Sequence, residues 1–197
     1  MKYFAKIKYL GTSFHGFQVQ PGLRTVQSEL SDGLSKVFGE IPRVTGCSRT
    51  DAGVHANEFC VKIESDMATV PPEKLPIAVS RFLPPDLSLF YAEECAEEFH
   101  PRYDVVSKEY LYRIKNRKIY DPFDYGRAWF LPRNITCEGL SRMREAAKYI
   151  ISTAISSIAT WSAIASSWCA TTVSLPVSTR WRAISAARCA CWIASPA

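Results

Sequence analysis

The densest cluster of chemically useful side chains is Gly46-Cys47-Ser48-Arg49-Thr50-Asp51-Ala52-Gly53-Val54-His55-Ala56. Asp51 supplies a carboxylate, Arg49 a guanidinium two residues earlier, and His55 an imidazole four residues later. An arginine beside an aspartate keeps the carboxylate ionised and oriented. An ionised carboxylate can serve as a nucleophile or a general base. Gly46 and Gly53 let the backbone turn sharply or approach a ligand closely. The same residues equally suit an ordinary turn, with the aspartate bonded to its own backbone and the arginine solvated.

The elements around the cluster follow from hydrophobic spacing. Lys2–Tyr9 alternates lysines and Phe4 against Tyr3, Ala5, Ile7 and Tyr9, which predicts a strand. Val26, Leu30, Leu34 and Val37/Phe38 recur at helical spacing, with Thr25 as N-cap and Gly39 as the stop. Short strands are expected over Ile41–Cys47, Glu58–Glu64 and Leu87–Glu93, with a helix over Pro72–Leu83. The cluster is therefore a loop between two strands. The order β-α-β-β-α-β is the split, ferredoxin-like pattern of an α+β fold. Ser107–Asn116 reads as a fifth strand and Thr136–Ile150 as a further helix.

The 197 residues suffice for one large domain or two small ones, with a core that needs no disulfide or metal. The net charge of +5 permits an anionic partner without demanding one. The N-terminus lacks the apolar run of a secretory signal. Seven scattered cysteines form no C-x-x-C pair, which predicts free thiols in a reducing cytoplasm. His15, His55 and His100 are not at metal-ligand spacing.

The composition breaks near residue 150. All nine glycines and all 19 acidic residues precede it, and 151–197 contains no Gly, Asp, Glu, Lys or His. Ala and Ser make up 21 of those 47 residues, and four of the five tryptophans lie there. A membrane span is disfavoured because eight of the residues 151–170 are Ser or Thr. A low-complexity tail would be more polar. The remaining reading is translation out of frame, for which sequencing the DNA around codons 145–155 is the test. On that reading 151–197 carries no well-packed continuation of the sheet.

Other candidates are spread along the chain. Lys2, Lys6 and Lys8 could form a basic face with Arg43, Lys62, Arg102 and Lys108, or simply a solvated one. Gln18 and Gln20 could fix the loop that carries them. Tyr110 and Tyr112 share a strand face with Lys108 and Ile114, where aromatics often serve as cross-strand packing.

Ser48-Arg49-Thr50-Asp51-Ala52-Gly53-Val54-His55-Ala56 resembles the signature loop of the tRNA pseudouridine synthase A family. Residues 9–20 resemble its first loop, with Phe17 where Trp is commoner, and Phe99–Tyr103 and Lys108–Ile114 resemble two further segments. The resemblance covers about residues 1–150. It implies isomerisation of uridine to pseudouridine at positions 38 to 40 of the tRNA anticodon arm, without metal or organic cofactor. Asp51 matches the catalytic aspartate, Arg49 its partner and filler of the vacated stack, and Tyr110 the active-site tyrosine. Thr50, His55, Gln18 and Arg102 are expected to bind substrate. A cytoplasmic homodimer, with no membrane or metal partner, is implied. The expected organisation is a ferredoxin-like domain over 1–103, the start of a second α+β domain sharing the sheet over 104–150, and an atypical tail over 151–197. The family's His-Asp-Phe stretch and Met-Val-Arg-like run are not found. An inactive, truncated or frameshifted member, at most a non-catalytic RNA-binding module, is therefore the alternative.

Overall fold

Alternating side chains in the first nine residues decide where the core lies. In the computed structural model, which describes residues 1–105, 107–154, 172–180 and 190–195, β1 spans Lys2–Tyr9. Its odd positions Tyr3, Ala5, Ile7 and Tyr9 are buried. They pack with Phe59, Val61 and Ile63 of β3 (His55–Glu64) into one apolar cluster. Helix α1 (Val26–Phe38) lays Val26, Leu30, Leu34 and Phe38 into that cluster, and Tyr3 stacks on Phe38 with ring centroids 5.9 Å apart. Thr25 caps α1 through a capping box with Ser28, and Gly39 ends it in the left-handed conformation. Leu75 and Val79 of α2 (Leu75–Ser80) complete the layer. This helix is shorter than the expected Pro72–Leu83. Residues 72–74 form a tighter 3₁₀ turn, and Pro76 sits in the first turn of α2, where no backbone donor is required.

The opposite face of β1 is covered by the chain after β4 (Leu87–Glu94). Phe4, 1% exposed, meets Phe99 edge-on at 5.5 Å and Tyr91 at 6.3 Å.

The sheet has eight strands in an α+β arrangement, mostly antiparallel with two parallel pairings. β4, β1 and β3 are consecutive and antiparallel, and β2 (Arg43–Gly46) pairs with the C-terminal half of β3. β5 (Ser107–Asn116) occupies its expected range. β6 (Trp129–Leu131) runs parallel to its end and was not foreseen, since three residues are too few to show a period. Helix α3 (Cys137–Ala154) follows.

The region beyond the compositional break departs from expectation. β7 (Thr172–Arg180) pairs antiparallel with β5 over 107–115, and β8 (Ala190–Ser195) lies between β3 and β5. The backbone of the tail thus continues the sheet. Charge is not required for this. Val173, Leu175 and Val177 alternate with Thr172, Ser174 and Ser178, a pattern suited to a pleated strand, and Pro176 is tolerable because β5 is the one described neighbour of β7. Among the described residues, Cys95 and Cys137 are free thiols, as expected, whereas Cys60 is disulfide-bonded.

Candidate active site

Residues 47–54 connect β2 to β3, and the first loop, Leu10–Thr25, lies against them. Two backbone hydrogen bonds fasten the two loops to each other. The Phe17 amide donates to the Thr50 carbonyl at 3.1 Å, and the Gly53 amide donates to the Phe14 carbonyl at 3.1 Å. Val54 closes a turn onto the Asp51 carbonyl at 3.3 Å. The Gly11 amide donates to Nδ1 of His55 at 2.8 Å. Side chains reinforce this frame: the Tyr9 hydroxyl and Thr50 Oγ1 are hydrogen-bonded at 2.9 Å, and Phe17 packs on Phe59 at 4.6 Å. Gly11 is a steric necessity. A Cβ there would lie 1.9 Å from the Val54 carbonyl oxygen.

Arg24 braces the far end of the first loop. It grips Asp86 with two parallel bonds of 2.8 and 2.9 Å, donates to Glu29 at 2.9 Å, and lies over the Phe14 ring at 4.3 Å. The Arg24 guanidinium holds the Asp86 carboxyl below the usual aspartate range, despite partial burial acting the other way.

On this frame Asp51 and Arg49 are exposed, and neither side chain makes a hydrogen bond or ion pair among the described residues. The two therefore do not pair with each other as the spacing allowed. Exposure explains it, since an ion pair between solvated ends contributes little. Gln18 and Arg102 are exposed too, with no side-chain partner among the described residues. Arg102 sits on a tight turn in which the His100 amide donates to Asp104 at 2.8 Å and His100 stacks on Tyr103 at 4.4 Å. Thr50 and His55 instead face the protein. His55 is 7% exposed, and its Nε2 meets the carbonyl of Gly126.

β5 reaches the base of the loop through Lys108. Lys108 Nζ donates to the Cys47 carbonyl at 3.0 Å. Across β8, Tyr110 and Ala56 both register with Ile193. Two strand spacings, roughly 10 Å, therefore separate Tyr110 from the start of β3. Tyr110 is partly buried against the core, while Tyr112 is 44% exposed and not the packed aromatic that spacing suggested. The sequence reading missed Lys108 as a loop tether, because nothing in a lysine's spacing reveals a carbonyl 61 residues away.

Three members of the expected basic face are paired rather than free. Lys2 pairs with Glu97 at 2.5 Å and Lys6 with Glu58 at 2.6 Å. Lys62, 7% exposed, donates to the Glu97 carbonyl at 2.8 Å and lies 3.4 Å from Glu64. Among the described residues there is no group of three His, Cys, Asp or Glu that could hold a metal, and no helix long and apolar enough to cross a membrane.

A family model described as tRNA pseudouridine synthase matches residues 5–104, which contain both loops, Asp51 and Arg102. The chain belongs to the tRNA pseudouridine synthase family. It is similar to the tRNA pseudouridine synthase A of Aquifex aeolicus, with 41% identity over 138 residues, covering 70% of this chain and 57% of that protein. It is also similar to that of Brachyspira hyodysenteriae, 41% identical over 145 residues, 74% of this chain and 57% of the other. That of Bacillus pumilus is 38% identical over 155 residues, 78% and 61% respectively. This member of the tRNA pseudouridine synthase family thus spans about three-fifths of the length of the curated relatives it matches.

Proposed function

We propose that the protein isomerises uridine to pseudouridine in tRNA, at positions 38 to 40 of the anticodon arm, with Asp51 as the catalytic carboxylate. The observation that carries this reading is an exposed Asp51 side chain, without a partner among the described residues, on a loop whose backbone is fastened to the first loop at Phe17 and Phe14. A carboxylate presented this way is free to meet a substrate yet loses little freedom when it does.

The reaction breaks the bond from ribose C1′ to N1, turns the uracil, and joins C1′ to C5. The C5 hydrogen leaves to solvent and N1 gains a proton. Asp51 either attacks C1′ or removes a ribose proton. No redox cofactor or metal enters this balance. A base within a stem must first leave the stack. Arg49, exposed two residues from Asp51, is placed to fill the gap and contact phosphate. Tyr110 is proposed to stack on the uracil, and Gln18 and Arg102 to contact the RNA. Thr50 and His55, engaged with Tyr9 and with backbone, serve the site by shaping it.

The proposed organisation is a ferredoxin-like unit over 1–103, supported by the β4-β1-β3-β2 pairing. A second α+β unit would begin at 104. A homodimer acting on tRNA in the cytoplasm is part of the same reading. The test is tritium release from tRNA labelled at uridine C5, with Asp51→Ala as control. Release that vanishes in the variant supports the reading. Absence of release from folded, tRNA-binding wild-type protein overturns it.

A further inference from the structure

The His55 ring, in the signature loop, touches both the first loop and the segment after β5. Its Nδ1 receives the Gly11 amide at 2.8 Å, and its Nε2 meets the Gly126 carbonyl. A backbone amide can only donate, and a carbonyl can only accept. Nδ1 is therefore the bare nitrogen, and Nε2 carries the single proton. Both nitrogens are committed, and the ring is buried.

Resting on the isomerase reading above, we propose that His55 is a positioning residue. As a neutral Nε2–H imidazole it fastens residues 121–128 and the first loop to the Asp51 loop, and it makes no contact with RNA.

The geometry on either side agrees. Gly11 leaves no room for a Cβ against the Val54 carbonyl, so the first loop is packed directly on the residue that precedes β3. Gly126 has φ +66°, and a Cβ there would lie 2.9 Å from Thr12 Oγ1, so the 121–128 segment is seated on the first loop next to the ring. Three stretches distant in sequence converge on one imidazole. Removing it leaves two backbone groups unpaired beside the loop that carries the carboxylate.

The test uses the full chain and has a readout independent of turnover. In ¹⁵N-histidine NMR, His55 should show an unprotonated Nδ1 and a protonated Nε2, unchanged on adding tRNA. An imidazolium, the opposite tautomer, or a change on adding tRNA overturns the proposal. In kinetics, His55→Ala should lower kcat about 100-fold with KM within about twofold, the cost of a small misplacement near the reacting group. A rise in KM with kcat preserved would mean substrate contact instead. His55→Asn, which can still accept from Gly11, and His55→Gln, which can reach Gly126, should each recover part of the loss. Gly126→Ala shifts the segment with the ring intact and should also lower kcat alone. It keeps the test open if His55→Ala does not fold. If the wild type shows no tritium release, the isomerase reading fails, while the NMR result still decides the role of the ring.

Discussion

Lys108 Nζ donates to the carbonyl oxygen of Cys47 at 3.0 Å, joining two residues 61 positions apart. This bond sets β5 against the base of the Asp51 loop, and Tyr110 lies on the same strand face two residues on. A charged donor to a backbone carbonyl contributes about 1–2 kcal/mol in partly exposed surroundings. Lys108→Met is expected to lower stability by about that amount in chemical denaturation. It should also slow C5 tritium release about tenfold, as Tyr110 loses its register with the loop. Lys108→Arg, which keeps the charge and reach, should recover most of both. Equal activity in the Met variant would remove Lys108 from the site.

Gly11 makes a sharper case. With 1.9 Å between a new Cβ and the Val54 carbonyl, no side-chain rotation can relieve the contact, because the backbone fixes where a Cβ lies and the oxygen belongs to backbone. Gly11→Ala must push the loops apart and break the Gly11–His55 bond. The expected cost is about 3 kcal/mol, at the upper end for overpacking. Unfolding midpoints in urea measure it. A cost under about 1 kcal/mol would mean that the two loops are not in the contact described.

The sequence was most legible where one physical rule acted alone. Strict alternation placed β1 at Lys2–Tyr9 and β5 at Ser107–Asn116, and a capping threonine with a terminal glycine bounded α1. It failed where partners decide. His55 and Ala56 were read as part of the loop, yet β8 pairs with both and β3 begins at His55. No packed continuation of the sheet was expected beyond residue 150 because the composition there suggested an out-of-frame reading, but the pairing of β7 and β8 is a backbone property. At the site, the family resemblance pointed to Tyr110, and residue types pointed to Asp51 and Arg49. They could not tell exposed Gln18 and Arg102 from inward-facing Thr50 and His55, since that depends on which backbone groups lie within reach.

The Arg24–Asp86 pair predicts a pH dependence. Asp86 is held below its ordinary value of 3.8 chiefly by the Arg24 hydrogen bonds. A carboxyl with a depressed folded-state value binds its proton more readily when unfolded. Its stabilisation is therefore fully present above that ordinary value and is lost as pH falls through the depressed one. Arg24 and Asp86 are 33% and 21% exposed, so solvent screening limits the pair to about 1 kcal/mol. The stability difference between wild type and Asp86→Asn should be constant from pH 7 to about 5 and shrink below about pH 4. A difference that grows on acidification would contradict the assignment.

Asp51 separates stability from function. An exposed carboxylate without a described partner contributes little to the folded state, and surface substitutions of this kind stay within about 0.5 kcal/mol. Arg49 stands in the same condition. Asp51→Ala and Arg49→Ala should therefore melt within about 2 °C of wild type. Their effects on chemistry should differ in kind. Asp51→Ala should abolish tritium release while tRNA still binds, because the group that meets C1′ or the ribose proton is gone. Arg49→Ala should weaken tRNA binding and lower turnover together, since its guanidinium would contact RNA rather than the bond being broken. It should also lose less affinity at high salt than the wild type does, having one phosphate contact fewer. If Asp51→Ala instead lowers the melting temperature by 5 °C or more, its carboxylate holds structure, and the argument that it stands free for a substrate fails.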